Sequence, residues 1–92
     1  MSARTIRIHP ADNVAVVVND GGLPAGTTLP DGPTLVQAVP QGHKVALVDL
    51  PQGSEVRRYN VVIGHAAVPI PAGGWVNEQR LVMPGARSGR PR

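Results

Sequence analysis

A short sequence motif that is typical of turns recurs along the chain. An apolar residue followed by Pro-x-Gly occurs five times, at residues 23–26, 29–32, 39–42, 50–53 and 70–73. Proline sets φ to about −65° for the second position of a turn, and glycine two residues later supplies the positive φ that lets the chain enter a strand. Short valine-rich runs follow most of these turns, and no run has the length or period of a dominant helix. The pattern predicts a mainly β domain of short strands joined by Pro-x-Gly turns.

The predicted core is single and aliphatic. The 92 residues include 14 valines and no Phe, with Trp75 and Tyr59 as the aromatic residues. Valine favours β-structure because its branched side chain packs well on a pleated surface. A domain of this size buries a smaller fraction of its unfolded surface than a large domain does, so we expect its own stability to be marginal. We therefore expect a subunit or a homo-oligomer that gains stability from a partner.

Local patterns divide the chain into strands and a tail. Strands are predicted over residues 5–9, 13–18, 44–50, 55–58 and 61–63, with a final piece over 75–82. In the first of these, Ile6 and Ile8 alternate with polar residues and are expected to face the core, whereas the second is apolar and is expected to be covered on both faces. Residues 34–39 fit either a strand or one helical turn. Residues 1–83 form the predicted domain, and residues 84–92 a flexible basic tail.

The charge distribution argues against a nucleic-acid partner. The formal net charge is +3, but three of the nine Lys/Arg residues lie in the last six positions. The six Lys/Arg residues of positions 1–86 are balanced by six Asp/Glu residues. Nucleic-acid-binding domains present a basic face on their folded part, with aromatic side chains where the target is single-stranded. This sequence shows neither pattern.

Cysteine is absent, which excludes disulfides, thiolate catalysis and thiolate metal sites. The N-terminal residues 1–8 lack the apolar stretch of a secretory signal. No run approaches the roughly 20 apolar residues of a membrane span. We therefore expect a cytoplasmic protein without a membrane partner.

Three histidines are the candidate reactive side chains, because the sequence contains no phosphate-binding loop, nucleophile elbow or paired metal-binding histidines. His43 follows the turn residue Gly42 and precedes Lys44, which puts two polar groups at the start of an apolar strand. Neighbouring side chains on a strand point in opposite directions, so the two share a site only if the turn brings them together. His9 lies at a predicted strand end, where a surface histidine is the alternative, and His65 ends an apolar run.

Carboxylates are sparse and form no paired set. Asp12 and Asn13 follow Pro10 and Ala11. Side chains of this type either cap a turn through hydrogen bonds to the backbone or reach a ligand or a partner. The sequence leaves both roles open.

Four sequence blocks occur together in an order that a known family shares. They are IHPADNVAV at residues 8–16, PQGHKVALVD at 40–49, RY at 58–59 and IGHA at 63–66. Together they resemble the N-terminal domain of galactarate and altronate dehydratases. The segments VNDGGL at 18–23, PDG at 30–32 and GWVNE at 74–78 are more similar to the galactarate branch. The resemblance implies a small β-clip fold of the SAF type, in agreement with the predicted strands and turns.

Departures from the family pattern bear on the substrate. Asn60 stands where the family has glycine after its Arg/Lys-Tyr pair, and asparagine tolerates the positive φ of such a position. His65 replaces a tyrosine that is common in the family. The residues WVNE at 75–78 replace the His-x-His-Asn segment of altronate dehydratases and sulfolactate sulfo-lyase small subunits. This difference favours a galactarate-like substrate.

The resemblance implies a hydro-lyase that eliminates water from a galactarate- or altronate-like hydroxy acid. Such an elimination needs a base, a cation that stabilises the enediolate and an acid for the departing hydroxyl. The chain is short beside the fused enzymes of the family, so we expect a small subunit or N-terminal domain that acts with a large catalytic subunit and is inactive alone. The resemblance also implies divalent iron, held mostly by that partner.

This hypothesis assigns the candidate site residues. The predicted catalytic residues are His43 and Lys44. The predicted substrate-binding residues are His9, Asp12, Asn13 and His65. Two other hypotheses remain open at this point: a non-catalytic sugar-acid-binding or assembly module, and the small subunit of an enzyme similar to sulfolactate sulfo-lyase.

Overall fold

A computed structural model describes residues 3–30 and 32–82. In these ranges the chain forms seven strands and one short 3-10 helix: β1 (Thr5–Ile6), β2 (Val14–Val17), β3 (Lys44–Ala46), β4 (Glu55–Arg58), β5 (Val61–Ala66), β6 (Trp75–Val76), the 3-10 helix (Glu78–Arg80) and β7 (Leu81–Val82). The predicted tail over residues 84–92 and the predicted domain end at Met83 lie outside the described residues. Within the described ranges, no helix is long and apolar enough to cross a membrane.

The strands form two antiparallel sheets. One has the order β1-β2-β3-β6 and the other the order β4-β5-β7. The mainly β fold predicted from the turn pattern is therefore confirmed.

The two central strands of the four-stranded sheet, β2 and β3, are covered by apolar clusters on both faces, as the apolar β2 predicts. On one face, Val14 and Ala46 pack with Val56 and Leu81 of the second sheet. The opposite face carries a second cluster, drawn from the sheet and from the turn segments: Ala15, Val17, Val45, Leu23, Leu29, Leu35 and Val39. The single predicted core is thus two aliphatic clusters, because the backbone of one sheet lies between them.

The turn glycines adopt the predicted positive φ, but proline takes a different position. The φ angle is 83–87° at four of these glycines, and 155° at Gly32. In the turns 24–27, 40–43, 51–54 and 71–74, the proline carbonyl accepts a hydrogen bond from the residue after glycine, with N···O distances of 2.8–3.3 Å. Proline is therefore first and glycine third, which is the position where a type II turn requires positive φ. At residues 29–32 proline is second, as predicted, and Leu29 O accepts from Gly32 N at 3.2 Å.

The prediction for the first strand is wrong in the length of the strand and in the side that faces the core. β1 spans two residues, and Ile6 and Ile8 are 49% and 50% exposed. Thr5 pairs with the fully buried Val17, whereas Ile6 pairs with the half-buried Val16. Polar and apolar residues do alternate along β1. The core, however, lies on the side of the polar residue Thr5, because β1 is the edge strand of the sheet and the apolar clusters do not cover both of its sides.

Other strand bounds also shift. Residues 34–39 form neither a strand nor a helix, although Thr34 and Val39 each make an isolated β-bridge. β3 ends at Ala46, before the predicted bound at 50, and β5 runs on to Ala66. The predicted last strand divides into β6, the 3-10 helix and β7, whereas β4 has the predicted bounds.

Candidate functional site

A groove beside β3 brings the two predicted catalytic residues together. It has a volume of about 490 Å³ and is lined by Gly42, His43, Lys44 and residues 75–79. His43 is the last residue of a turn, where its N–H donates to Pro40 O at 3.1 Å, and Lys44 is the first residue of β3. His43 contacts Trp75, which pairs with Val45, whereas Lys44 pairs with Val76. Val45 and Val76 belong to the clusters on opposite faces of the sheet, so His43 and Lys44 line the groove from different faces and the turn does not rotate them together.

Trp75 is the site residue that the sequence reasoning missed. Its indole Nε1 donates to His43 Nδ1 at 3.2 Å, and the two rings meet edge to face, with centroids 5.3 Å apart and planes at 77°. Trp75 also lines a more apolar cavity of about 440 Å³ with residues 21–24 and 38–40. The two residues are 32 positions apart, so no local sequence pattern connects them.

Side chains from two other segments hold the Trp75 backbone. Gln37 Oε1 accepts from Trp75 N at 3.1 Å and from Arg80 Nη1 at 2.8 Å. The same Arg80 nitrogen donates to Trp75 O at 3.2 Å. Asn77 caps the 3-10 helix, with its Oδ1 accepting from Arg80 N at 3.1 Å. Trp75 and the 3-10 helix therefore form a fixed wall of the groove.

Lys44 is a half-buried cation without an ion-pair partner. In the described part of the chain the one salt bridge joins Arg57 and Glu55, at 2.8 Å. Burial lowers the pKa of Lys44 below its ordinary value of 10.5, and the positive charge of Arg58 lowers it further, while Glu78 acts in the opposite direction. An anion in the groove would offset both unfavourable effects, because a nearby negative charge favours the charged ammonium.

Arg58 adds a second cation with unused hydrogen-bonding capacity. Its guanidinium carbon lies 4.6 Å from the centre of the Tyr59 ring, a cation–π distance. Its Nε is buried and has no hydrogen-bond partner. A buried donor without an acceptor is uncommon in folded proteins and indicates a place for a ligand or a partner group.

Asp12 serves the fold through its carboxylate. Asp12 is only 4% exposed, and its two oxygens accept from His9 N at 3.1 Å, Tyr59 N at 3.0 Å and Asn60 N at 2.8 Å. Burial alone would raise the pKa of Asp12, but these backbone hydrogen bonds outweigh it and hold the pKa below the ordinary 3.8. Tyr59 and Asn60 have φ of 60° and 59°, so the predicted positive φ of Asn60 is confirmed. The carboxylate stabilises a turn whose positive φ is unfavourable for Tyr59 and tolerated by Asn60.

Asn13 bonds to the backbone of the neighbouring strand β4. Its Oδ1 accepts from Arg57 N and its Nδ2 donates to Glu55 O, each at 2.8 Å. The register of β4 against β5 shifts between Val56 and Arg57, so the side-chain amide lies at a bulge. Asp12 and Asn13 together fasten the β4–β5 hairpin to the first sheet.

The other predicted substrate-binding residues do not line the groove. The His9 ring accepts from Ala11 N through Nδ1 at 3.0 Å, next to Asp12. His65 is exposed on β5, opposite Glu55 and Val82. The binding roles of His9, Asp12, Asn13 and His65 stay predictions.

The described residues do not fit an iron site by themselves. Across residues 3–30 and 32–82, no three His, Asp or Glu side chains come close enough together to hold a metal ion. We therefore derive no step through iron from the groups of this chain.

The fold and the groove define a small β domain with one cationic site, and comparisons with known proteins place it in a family. A family model described as the altronate/galactarate dehydratase SAF domain matches residues 3–84. The chain is 53% identical over 81 residues to galactarate dehydratase (L-threo-forming) of Escherichia coli (strain K12), covering 88% of this chain and 16% of that enzyme. It is 44% identical over 75 residues to the altronate dehydratase of the same organism, covering 78% of this chain and 15% of that enzyme. The chain belongs to the altronate/galactarate dehydratase SAF domain family.

Proposed function

We propose that this chain is the SAF component of a sugar-acid dehydratase, a small subunit or N-terminal domain that acts with a large catalytic region. Both E. coli relatives are named as dehydratases, and the chain spans about one sixth of their length. The greater identity to the galactarate enzyme favours a galactarate-like substrate. The predicted iron would then be held mostly by the large region. A cytoplasmic location belongs to the same proposal and rests on the sequence.

The cations of the groove suit a carboxylate substrate. A hydroxy acid carries at least one carboxylate, and elimination of water passes through an enediolate that bears more negative charge on the same oxygens. Lys44 offers an ammonium that has no ion-pair partner among the described residues, and Arg58, which does not line the groove, adds positive charge that acts on Lys44. His43 adds a hydrogen-bonding ring to the lining of the groove. These groups bind and polarise a substrate, while the proposal leaves the rest of the elimination to the large region.

The observation that carries the proposal is a groove lined by both His43 and Lys44, in which Lys44 has no ion-pair partner among the described residues. The test is a chimera in which residues 3–84 replace the matching region of E. coli galactarate dehydratase. Dehydration of galactarate by the chimera should fall roughly 100-fold or more with His43→Gln, the usual scale for loss of a hydrogen-bond donor to the developing negative charge. Lys44→Met should chiefly raise KM, since a charged contact to the substrate is lost.

Arg7→Met is the control for both variants, because Arg7 is exposed and does not line the groove. Unchanged kinetics of both groove variants in an active chimera would overturn the catalytic proposal. If galactarate binds to the chain but turnover does not depend on the groove, the chain is a binding or assembly module instead.

A further inference from the structure

The contact between Trp75 and His43 determines where the neutral imidazole carries its proton. An indole Nε1 is a donor only, and a neutral imidazole has one protonated and one bare nitrogen. Because Nε1 donates to His43 Nδ1 at 3.2 Å, Nδ1 is the bare nitrogen. The proton therefore lies on Nε2, on the far side of the ring from the indole.

We infer that Trp75 is a positioning residue that holds His43 as its Nε2–H tautomer, so that His43 presents a hydrogen-bond donor to an oxygen of a ligand in the groove. The tautomer follows from the contact itself. The identity of the ligand, a hydroxy acid, rests on the proposed function.

Both partners of the contact are held by their backbones. His43 N donates to Pro40 O at 3.1 Å, and His43 O accepts from Val17 N at 3.0 Å. Trp75 pairs with Val45 across β3 and β6, and Gln37 and Arg80 bond its backbone groups. The donor and the acceptor therefore meet without ordering a mobile segment, which keeps the entropic cost of the contact small.

The tautomer limits what His43 can do. A ring with its proton on Nε2 donates to a substrate hydroxyl or carboxylate, but it does not accept a proton at that atom. A second proton would have to bind at Nδ1, and the bond from Trp75 would then break. The base of the elimination is therefore another group, either Lys44 in its neutral form or a residue of the large region.

Nitrogen NMR of the full chain tests the tautomer without any enzyme activity. The ¹⁵N shifts of the ring nitrogens distinguish a protonated from a bare atom, and at about pH 8.5 imidazole rings are neutral. The chain contains its own references. His9 Nδ1 accepts from Ala11 N–H and should also be bare, whereas the described residues give the His65 ring no hydrogen-bond partner. His43 should match His9 and show a larger Nε2–H fraction than His65.

Trp75→Phe removes the indole donor and keeps an aromatic ring. The ratio of Nε2–H to Nδ1–H tautomers at His43 should then fall roughly 2- to 10-fold, the equivalent of one hydrogen bond. The ratios at His9 and His65 should not change. A wild-type His43 with the same ratio as His65, or a ratio that Trp75→Phe leaves unchanged, would overturn the inference.

Two further measurements keep the test decisive. If Trp75→Phe fails to fold, a scalar coupling between Trp75 Nε1 and His43 Nδ1 in the wild-type chain reports the bond directly, and its absence contradicts the inference. Added galactarate should shift the His43 Nε2 signal while the nitrogen keeps its proton, and loss of that proton on binding would overturn the donor role. If galactarate has no effect although the tautomer is as expected, the hydroxy-acid ligand fails and the positioning role of Trp75 stands.

Discussion

Asp12 and Lys44 are two charged side chains that the fold treats in opposite ways. Asp12 is almost fully buried, and three backbone N–H groups share its charge. Lys44 is half-buried, has no ion-pair partner in the described part of the chain and lies near a second cation. A charged side chain that is hydrogen-bonded within the domain stabilises the fold. A partly buried charged side chain without such partners lowers the stability of the fold and is available to bind a ligand.

Asp12→Asn should lower the free energy of unfolding and change its pH dependence. The pKa of Asp12 is depressed below 3.8 in the folded state, so its contribution is present above that pH and is lost as the pH falls through the folded value. Urea unfolding of wild type and variant should therefore differ most near neutral pH and converge in acid. Asp20→Asn, at an exposed carboxylate, is the control. A constant difference at all pH values would show that the charge of Asp12 is not what stabilises the turn.

Lys44→Met should make the domain more stable at neutral pH. The pKa of Lys44 lies below 10.5, so the folded state carries the charged amine at a cost that is relieved as the pH rises toward that value. Methionine keeps the apolar stem and removes the charge. Denaturation from about pH 7 upward should show a gain over wild type that shrinks as Lys44 deprotonates, whereas Arg7→Met should show no such trend. A less stable Lys44→Met variant at neutral pH would contradict this account.

At this scale the sequence predicts neighbours in the chain better than neighbours in space. His43 and Lys44 are adjacent and follow a recognisable turn, so their pairing could be proposed from the sequence. Trp75 lies 32 residues from His43, and their contact depends on the pairing of β3 with β6, which no local pattern specifies. The sequence left two roles open for Asp12, because capping a turn and contacting a ligand require the same type of side chain.

At the scale of elements, the turns are the most predictable part of the fold. Glycine at the third turn position follows from the need for positive φ, which few other residues meet. Strand lengths were less predictable, because the strands end where pairing partners end. Ile6 illustrates this limit: its alternation is that of a half-buried strand, yet its side of β1 is half exposed.

Two turn glycines with the same backbone conformation should respond differently to alanine. Gly26 and Gly73 have φ of 87° and 85°, but a Cβ at Gly26 meets nothing within 4 Å, whereas one at Gly73 overlaps the carbonyl of Thr34. Gly26→Ala should cost about 1 to 2 kcal/mol from the left-handed backbone alone. Gly73→Ala should cost about 2 to 5 kcal/mol, because overpacking adds to that strain.

Chemical denaturation of the two variants measures this difference. Equal losses would mean that the backbone conformation, and not the close approach of residues 34 and 73, sets the cost. Since domains of this size are only marginally stable, Gly73→Ala is expected to be partly unfolded at 37 °C, a temperature at which Gly26→Ala remains folded.

At the scale of the molecule, the described part of the chain supplies a groove lined by His43 and Lys44 to the proposed reaction. Its two aliphatic clusters fix β3 and β6, and these strands place Lys44 and Trp75. The fold and the family were predictable because the turn spacing and the His43 block are local features of the sequence. The residues that a larger region contributes under the proposed function could not be predicted, because the relatives extend far beyond the matched region.

The most direct test measures galactarate dehydration by the purified chain, alone and after mixing with the E. coli galactarate dehydratase polypeptide that lacks its matching N-terminal region. We expect no turnover by either component alone and restored turnover on mixing, with the restored rate lost in His43→Gln. Steady turnover by the 92-residue chain alone would contradict the account.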